Sequence, residues 1–182
     1  MRRKRNARIK IQLRRLEEFA RCCGAQVVWS SRLSGVFGQV DQGQIALRDG
    51  LSPEQALHTL VHELTHLLMH CHASPRINRT VCEYEAEAVE RWVSAALEAN
   101  EEGGWIDPSA FTDDLLATSI ARVQRAASIL IYVARQDPDV WRDPSRSESE
   151  AAIKIDTPTG EEVILHDELY RMRNLIGLAK PL

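Results

Sequence analysis

Ser52-Pro53-Glu54-Gln55-Ala56-Leu57-His58-Thr59-Leu60-Val61-His62-Glu63-Leu64-Thr65-His66-Leu67-Leu68-Met69-His70 carries a helix start signal and a metal-ligand spacing in one run. Ser52 is an N-cap, Pro53 fills the first helical position, and Gln55 completes a capping box. Leu57, Leu60, Val61, Leu64, Leu67 and Leu68 then recur at helical spacing, which predicts one buried face to about His70. His62 and His66 stand four residues apart, so both imidazoles project from one side, a turn apart. That spacing lets two ring nitrogens meet one zinc ion at about 2.0–2.1 Å. Glu63 lies about 100° further around the helix, beside the metal rather than on it. There it can take a proton from a water made acidic by the metal and pass it to a leaving amine.

A catalytic zinc takes three protein ligands and keeps one position open, so a third ligand must come from a second helix. The candidates lie in Cys82-Glu83-Tyr84-Glu85-Ala86-Glu87-Ala88-Val89. Glu83 and Glu87 share a helical face, whereas Glu85 points elsewhere. Glu83 is therefore the expected ligand and Glu85 the alternative. Glu87 is expected to accept a hydrogen bond from a ligand histidine's other nitrogen. His58 and His70 extend the histidine stripe but lie a turn too far for the same ion, about 5.4 Å along the axis. They are expected to flank the ligands. Cys71, His72 and His166 are weaker candidates.

Around this helix the chain reads as α+β. A first helix is expected from about Arg8 to Cys23, with Ile9, Leu13, Leu16 and Ala20 inward and Gly24 at its end. Short strands follow at Gln26–Ser30, Val36–Val40 and Gln44–Leu47, the last two flanking a turn at Asp41-Gln42-Gly43. Helices from about Thr80 to Ala99 and Thr112 to Arg135 come next. Prolines, serines and charges over 137–150 read as a linker. Ala152–Ile155 and Glu161–Leu165 flank Thr157-Pro158-Thr159-Gly160 as a second hairpin, with a short helix after it. The expected architecture is zincin-like: a small N-terminal β-sheet packed on the HExxH helix, a helical C-terminal part, and a short β-hairpin appendage. The expected divisions are 1–136, 137–150 and 151–182.

Composition sets the class. With 182 residues, 44% hydrophobic and 27% charged, the chain matches an ordinary globular protein. A chain of this length buries roughly 70% of its unfolded surface, so folding needs neither disulfides nor a structural metal. The four cysteines have no CxxC spacing, which fits a reduced cytoplasmic setting. No apolar run approaches the roughly 18 residues of a membrane helix. The net charge is -3, but Arg2, Arg3, Lys4, Arg5, Arg8, Lys10, Arg14 and Arg15 precede the first acid, Glu17. That basic arm reads first as a solvated tail entering a helix, and second as a contact for nucleic acid or an acidic partner.

His-Glu-Leu-Thr-His-Leu-Leu-Met-His at His62–His70 and Glu-Tyr-Glu-Ala-Glu-Ala-Val at Glu83–Val89 together resemble the ImmA/IrrE family of zinc metallopeptidases. They also resemble the related peptidase-like domain of ArdC-type antirestriction proteins. The first block is similar to the family's HELGHLLLH form and the second to its Glu-x-Glu-Ala helix. The resemblance spans about Gln44 to Val133 and implies Glu83 as ligand and Glu63 as base. It also implies a phage, bacterial or mobile-element origin and cleavage of a repressor protein. Val89-Glu90-Arg91-Trp92-Val93 departs from the family's usual continuation, no helix-turn-helix precedes the sheet, and the tail from about Asp137 has no counterpart. The expected function is a zinc metalloendopeptidase acting on a specific protein. The rival is a zinc-stabilised, DNA-associated or antirestriction-like regulator without useful proteolysis.

Overall fold

A computed structural model of the chain describes residues 2–41, 43–70, 78–99, 119–141, 153–158 and 160–178. The fold is α+β, mostly helical with a small mixed sheet. Helix α1 spans Arg2–Cys22, and strands β1, β2 and β3 span Gln26–Ser30, Gly38–Asp41 and Gln44–Arg48. Helix α2, Pro53–Thr65, passes directly into a π-helical turn at His66–His70, and α3 spans Arg79–Ala99. Helix α4 spans Ile120–Arg135 and the single turn α5 spans Pro138–Trp141. Strands β4, Lys154–Asp156, and β5, Glu162–Ile164, precede α6, Leu165–Leu178. The part of the expected fourth helix before residue 119 lies outside the described residues.

The sheet has the order β1-β3-β2. The hairpin read around Asp41-Gln42-Gly43 forms, with β2 antiparallel to β3 in the register Gly38↔Leu47 through Asp41↔Gln44. Strand β1 joins the other side of β3 in parallel, from Gln26↔Gln44 to Ser30↔Arg48. Ile45 and Leu47 of β3 are buried, so one sheet face is in the core, where α2 packs on β2 and β3. The start of α2 is the expected one. Ser52 Oγ accepts from the Gln55 N–H at 3.2 Å, and Gln55 Oε1 accepts from the Ser52 N–H at 3.0 Å. A box of this kind satisfies two backbone donors that a helix end otherwise leaves open.

Helix α1 begins six residues before the expected Arg8, which brings most of the basic arm into regular helix. Arginine and lysine are good helix formers, and Arg5 anchors the first turns on Glu54 of α2 at 2.7 Å and Glu98 of α3 at 2.9 Å. The inward face is the expected Ile9, Leu13, Leu16 and Ala20, with Phe19, Cys22 and Cys23 added.

The C-terminal segment departs further from the reading. Rather than hanging from the domain, it packs into the same core, where Ile153, Ile155, Val163, Leu165, Leu169 and Met172 join α1, α2 and α4. Trp141, inside the stretch read as linker, is fully buried edge-on to Phe19 of α1, with ring centroids 6.1 Å apart. Polar pairs fasten the same segment. Arg125 of α4 pairs with Glu161 and Glu168, and Arg173 donates to the Cys22 carbonyl. Arg171 pairs with Glu168 at 2.7 Å and reaches the Leu68 carbonyl of the π-turn at 3.5 Å. The hydrogen bond from Leu165 N–H to Ile153 O, at 3.1 Å, closes the β4–β5 hairpin onto the head of α6. Among the described residues no helix is long and apolar enough to cross a membrane.

Candidate metal centre

Helices α2 and α3 pack together, and their facing side chains gather His62, His66 and Glu83 into a group able to hold a metal ion. His62 Nε2 and His66 Nε2 are 3.1 Å apart. Glu83 Oε2 lies 3.4 Å from the first and 3.5 Å from the second. Three donor atoms thus form a nearly equilateral triangle, drawn from the end of α2, the start of the π-turn and the second turn of α3. The rings are partly buried, so the triangle opens toward solvent without being surrounded by it.

The opposite nitrogen of each histidine is held by a different partner. His62 Nδ1 meets Glu90 Oε2 at 3.3 Å, and the other oxygen of Glu90 meets His58 Nδ1 at 3.2 Å. His66 Nδ1 meets His70 Nδ1 at 3.0 Å, and His70 Nε2 meets Glu85 Oε2 at 2.7 Å. Glu85 is fully buried and its second oxygen takes Arg122 of α4. Outer partners of this kind fix ring orientation and leave Nε2 as the atom turned to a metal.

These contacts sort the three candidate acids at the start of α3. Glu83 joins the histidine triangle. Glu85 instead holds His70 and Arg122. Glu87 does not reach the histidines: it is exposed, and its ion pair is to Arg91 at 3.6 Å. The contact expected of Glu87 is made by Glu90, because the residue seven after Glu83, not four, is the one that reaches His62 where α3 packs on α2. His58 and His70 lie on either side of the His62–His66 pair, in contact with Glu90 and with His66 and Glu85 respectively. Cys71 and His72 lie outside the described residues, and His166 is buried at the head of α6.

Electrostatics sort the groups by role. Burial pushes the Glu90 carboxyl upward, but hydrogen bonds from His58 and His62 outweigh it and hold it at about 2. Glu85 is likewise raised by burial and brought down to about 2 by His70, Arg122 and Ser119. Both are therefore fixed anions. Burial and the adjacent His62 ring hold His66 down at about 4, which leaves it neutral with a lone pair to donate.

Glu63 behaves differently. Its carboxyl is driven up to about 7 by burial, against the charge of His62, with the Glu83 carboxylate adding to the rise and the Val40 N–H opposing it. A carboxyl poised there can both accept and release a proton near neutrality. Its position depends on β2. A Cβ built on Gly38 would sit 2.5 Å from Thr59 Cγ2 and 2.8 Å from Glu63 Oε1, so the strand lies against Glu63 only because residue 38 has no side chain. Gly38→Val is accordingly expected to displace Glu63 while leaving the histidine triangle metal-competent. Any hydrolytic activity of the site should fall about 10²-fold, the usual effect of a displacement near 1 Å, with metal content unchanged in a side-by-side assay.

Comparison with known proteins returns no match: no family model, no curated protein and no solved structure aligns with the chain. The site therefore stands on its own geometry. Two of its parts were not legible beforehand, Glu90 and the π-turn at His66–His70. Single π-helical turns of this kind are found frequently at functional sites.

Proposed function

We propose that this chain is a zinc-dependent metallopeptidase of the zincin type, with His62, His66 and Glu83 as zinc ligands and Glu63 as general base and acid. The observation that carries the reading is the donor triangle. Its sides of 3.1, 3.4 and 3.5 Å match the edge of a tetrahedron around zinc, about 3.3–3.4 Å when the bonds are about 2.0–2.1 Å. Two imidazoles and one carboxylate supply the nitrogen and oxygen donors zinc accepts and leave a fourth position open. When bound, the ion supplies Lewis acidity toward a peptide carbonyl and toward water.

The residues of the chain do the rest. Glu63, half-way through its titration near neutrality, accepts a proton from the attacking water and returns it to the departing nitrogen. Glu90 and the His70–Glu85–Arg122 chain keep both ligand rings in place. Strand β2 is an outer strand of the sheet. Phe37 O turns inward to Arg48 N at 2.8 Å, so the alternate residues Gly38 and Val40 turn their backbone groups outward, beside Glu63. An extended peptide can add there as a further strand, with the exposed Val36 and Phe37 next to it. That arrangement supports a protein substrate entered at an extended segment. The resemblance to the ImmA/IrrE family names a repressor protein in the cytoplasm as the first candidate. A protein using metal for stability alone has no need of a buried carboxyl beneath Gly38, which favours the peptidase over the non-proteolytic regulator.

The test is a search for new protein N-termini in a bacterial extract incubated with the wild type or with Glu63→Gln. Termini that arise with the wild type and not with the variant support the proposal. Identical terminus sets from the two proteins would count against it.

A further inference from the structure

Helix α1 carries a second surface remote from this chemistry in its residue types. On a helical projection Arg3, Ala7, Lys10 and Arg14 fall within about 60° of one another, and all four are exposed. The buried residues Ile9, Leu13, Leu16 and Ala20 centre about 120° further around the helix. Between Arg3 and Arg14 the stripe runs about 16–17 Å at the α-helical rise. Among the described residues no ion pair neutralises Arg3, Lys4 or Lys10, and Arg14 meets acid only through the nearby charge of Glu17. Beside the stripe, Lys4, Arg5 and Arg8 line a surface recess with Glu98. Arg5 is tied to Glu54 and Glu98, so the first turns are held in place on α2 and α3.

The placement of these charges disfavours the isolated fold. The first turn of α1 has no acid, and cations there oppose the positive end of the helix dipole. The same alignment concentrates a positive field on one exposed face of a chain whose net charge is -3.

We propose that this face of α1 binds the phosphodiester backbone of a nucleic-acid duplex. A duplex offers about ten phosphate charges over the length of the stripe, at one per ~1.7 Å of axis. Two of the three cations in the stripe are arginines, whose planar guanidinium pairs two-fold with phosphate oxygens. A lipid surface fits less well. The apolar side of α1 is inside the core, and Ile11 is the large apolar residue exposed on this helix, so nothing amphipathic remains to enter a bilayer. The binding is independent of the proposed peptidase activity.

The test uses the full protein and a fluorescent 20-base-pair DNA duplex, with an RNA duplex of the same length alongside, read by anisotropy over a salt series. Four phosphate contacts, from Arg3, Lys4, Lys10 and Arg14, give a slope of log affinity against log salt of about -3 to -4. The triple variant Arg3→Gln, Lys10→Gln, Arg14→Gln is expected to bind more than about tenfold more weakly and to lose about 2.7 from that slope. The charge-preserving Arg3→Lys, Lys10→Arg, Arg14→Lys variant should keep the wild-type salt slope, which separates charge from any effect on folding. Preference for one duplex identifies which nucleic acid is bound, and either supports the proposal. An unchanged slope in the Gln variant, binding to polyglutamate as tight as to the duplexes, or binding to phosphatidylserine vesicles with neither duplex bound would each overturn it.

Discussion

Glu63→Gln is expected to lower kcat/KM for a cleaved protein about 10³-fold, within the range that general acid and base catalysis supplies. That is about 4 kcal/mol of transition-state stabilisation at ~1.36 kcal/mol per decade. The substitution keeps the shape of the side chain and an oxygen to accept from Val40 N–H, yet removes the group that takes and returns the proton. It should not unfold the protein. Glu63 is only 7% exposed, and a neutral amide costs less to bury than a carboxylate. Metal content and melting temperature are therefore expected to match the wild type, and the loss should fall on kcat more than on KM. A variant that keeps its metal and hydrolyses within tenfold of the wild type would remove Glu63 from the mechanism.

His66→Ala is expected to have the other large effect, through the metal itself. His66 Nε2 stands at 3.1 Å from its fellow donor on His62 and 3.5 Å from Glu83, and its Nδ1 is the point at which the His70–Glu85–Arg122 chain reaches the site. Removing the ring deletes a proposed ligand and disconnects that chain in one step. Metal analysis after dialysis against a chelator should give one equivalent in the wild type and near none in the variant, with hydrolysis at background. One retained equivalent in the variant would place the metal elsewhere.

The parts of the site that were legible in advance are those set by one helix alone. The i, i+4 spacing of His62 and His66, the capping box at Ser52 and the apolar face of α2 are local, so they survive whatever the rest of the chain does. Glu83 was readable because its helix had to bring one acid toward the pair. Glu90 was not. Whether the residue four or seven after Glu83 lies over His62 depends on how α3 crosses α2, and no spacing within α3 encodes that angle. Both Glu87 and Glu90 are compatible with Glu83's face to within about 40°.

The misreadings elsewhere have similar causes. The charges of Arg3, Lys4 and Arg5 suggested a solvated tail, because the carboxylates that anchor Arg5, Glu54 and Glu98, are far along the chain. Prolines and serines around Trp141 suggested a linker, yet a tryptophan in such a stretch was the available sign of an anchor, and it packs on Phe19. The hairpin read as an appendage has alternating apolar residues, Ile153, Ile155, Val163 and Leu165, which share one core with α1, more than a hundred residues earlier, as well as with α4. Distant pairing of this kind is a property of packing and not of pattern.

The most direct test of the metal centre is X-ray absorption at the zinc edge of the purified, zinc-loaded protein. The proposed ligands give only nitrogen and oxygen neighbours at about 2.0–2.1 Å, with outer-shell scattering from two imidazoles. Sulfur neighbours at about 2.3 Å, or scattering from a single imidazole, would contradict the His62, His66 and Glu83 site.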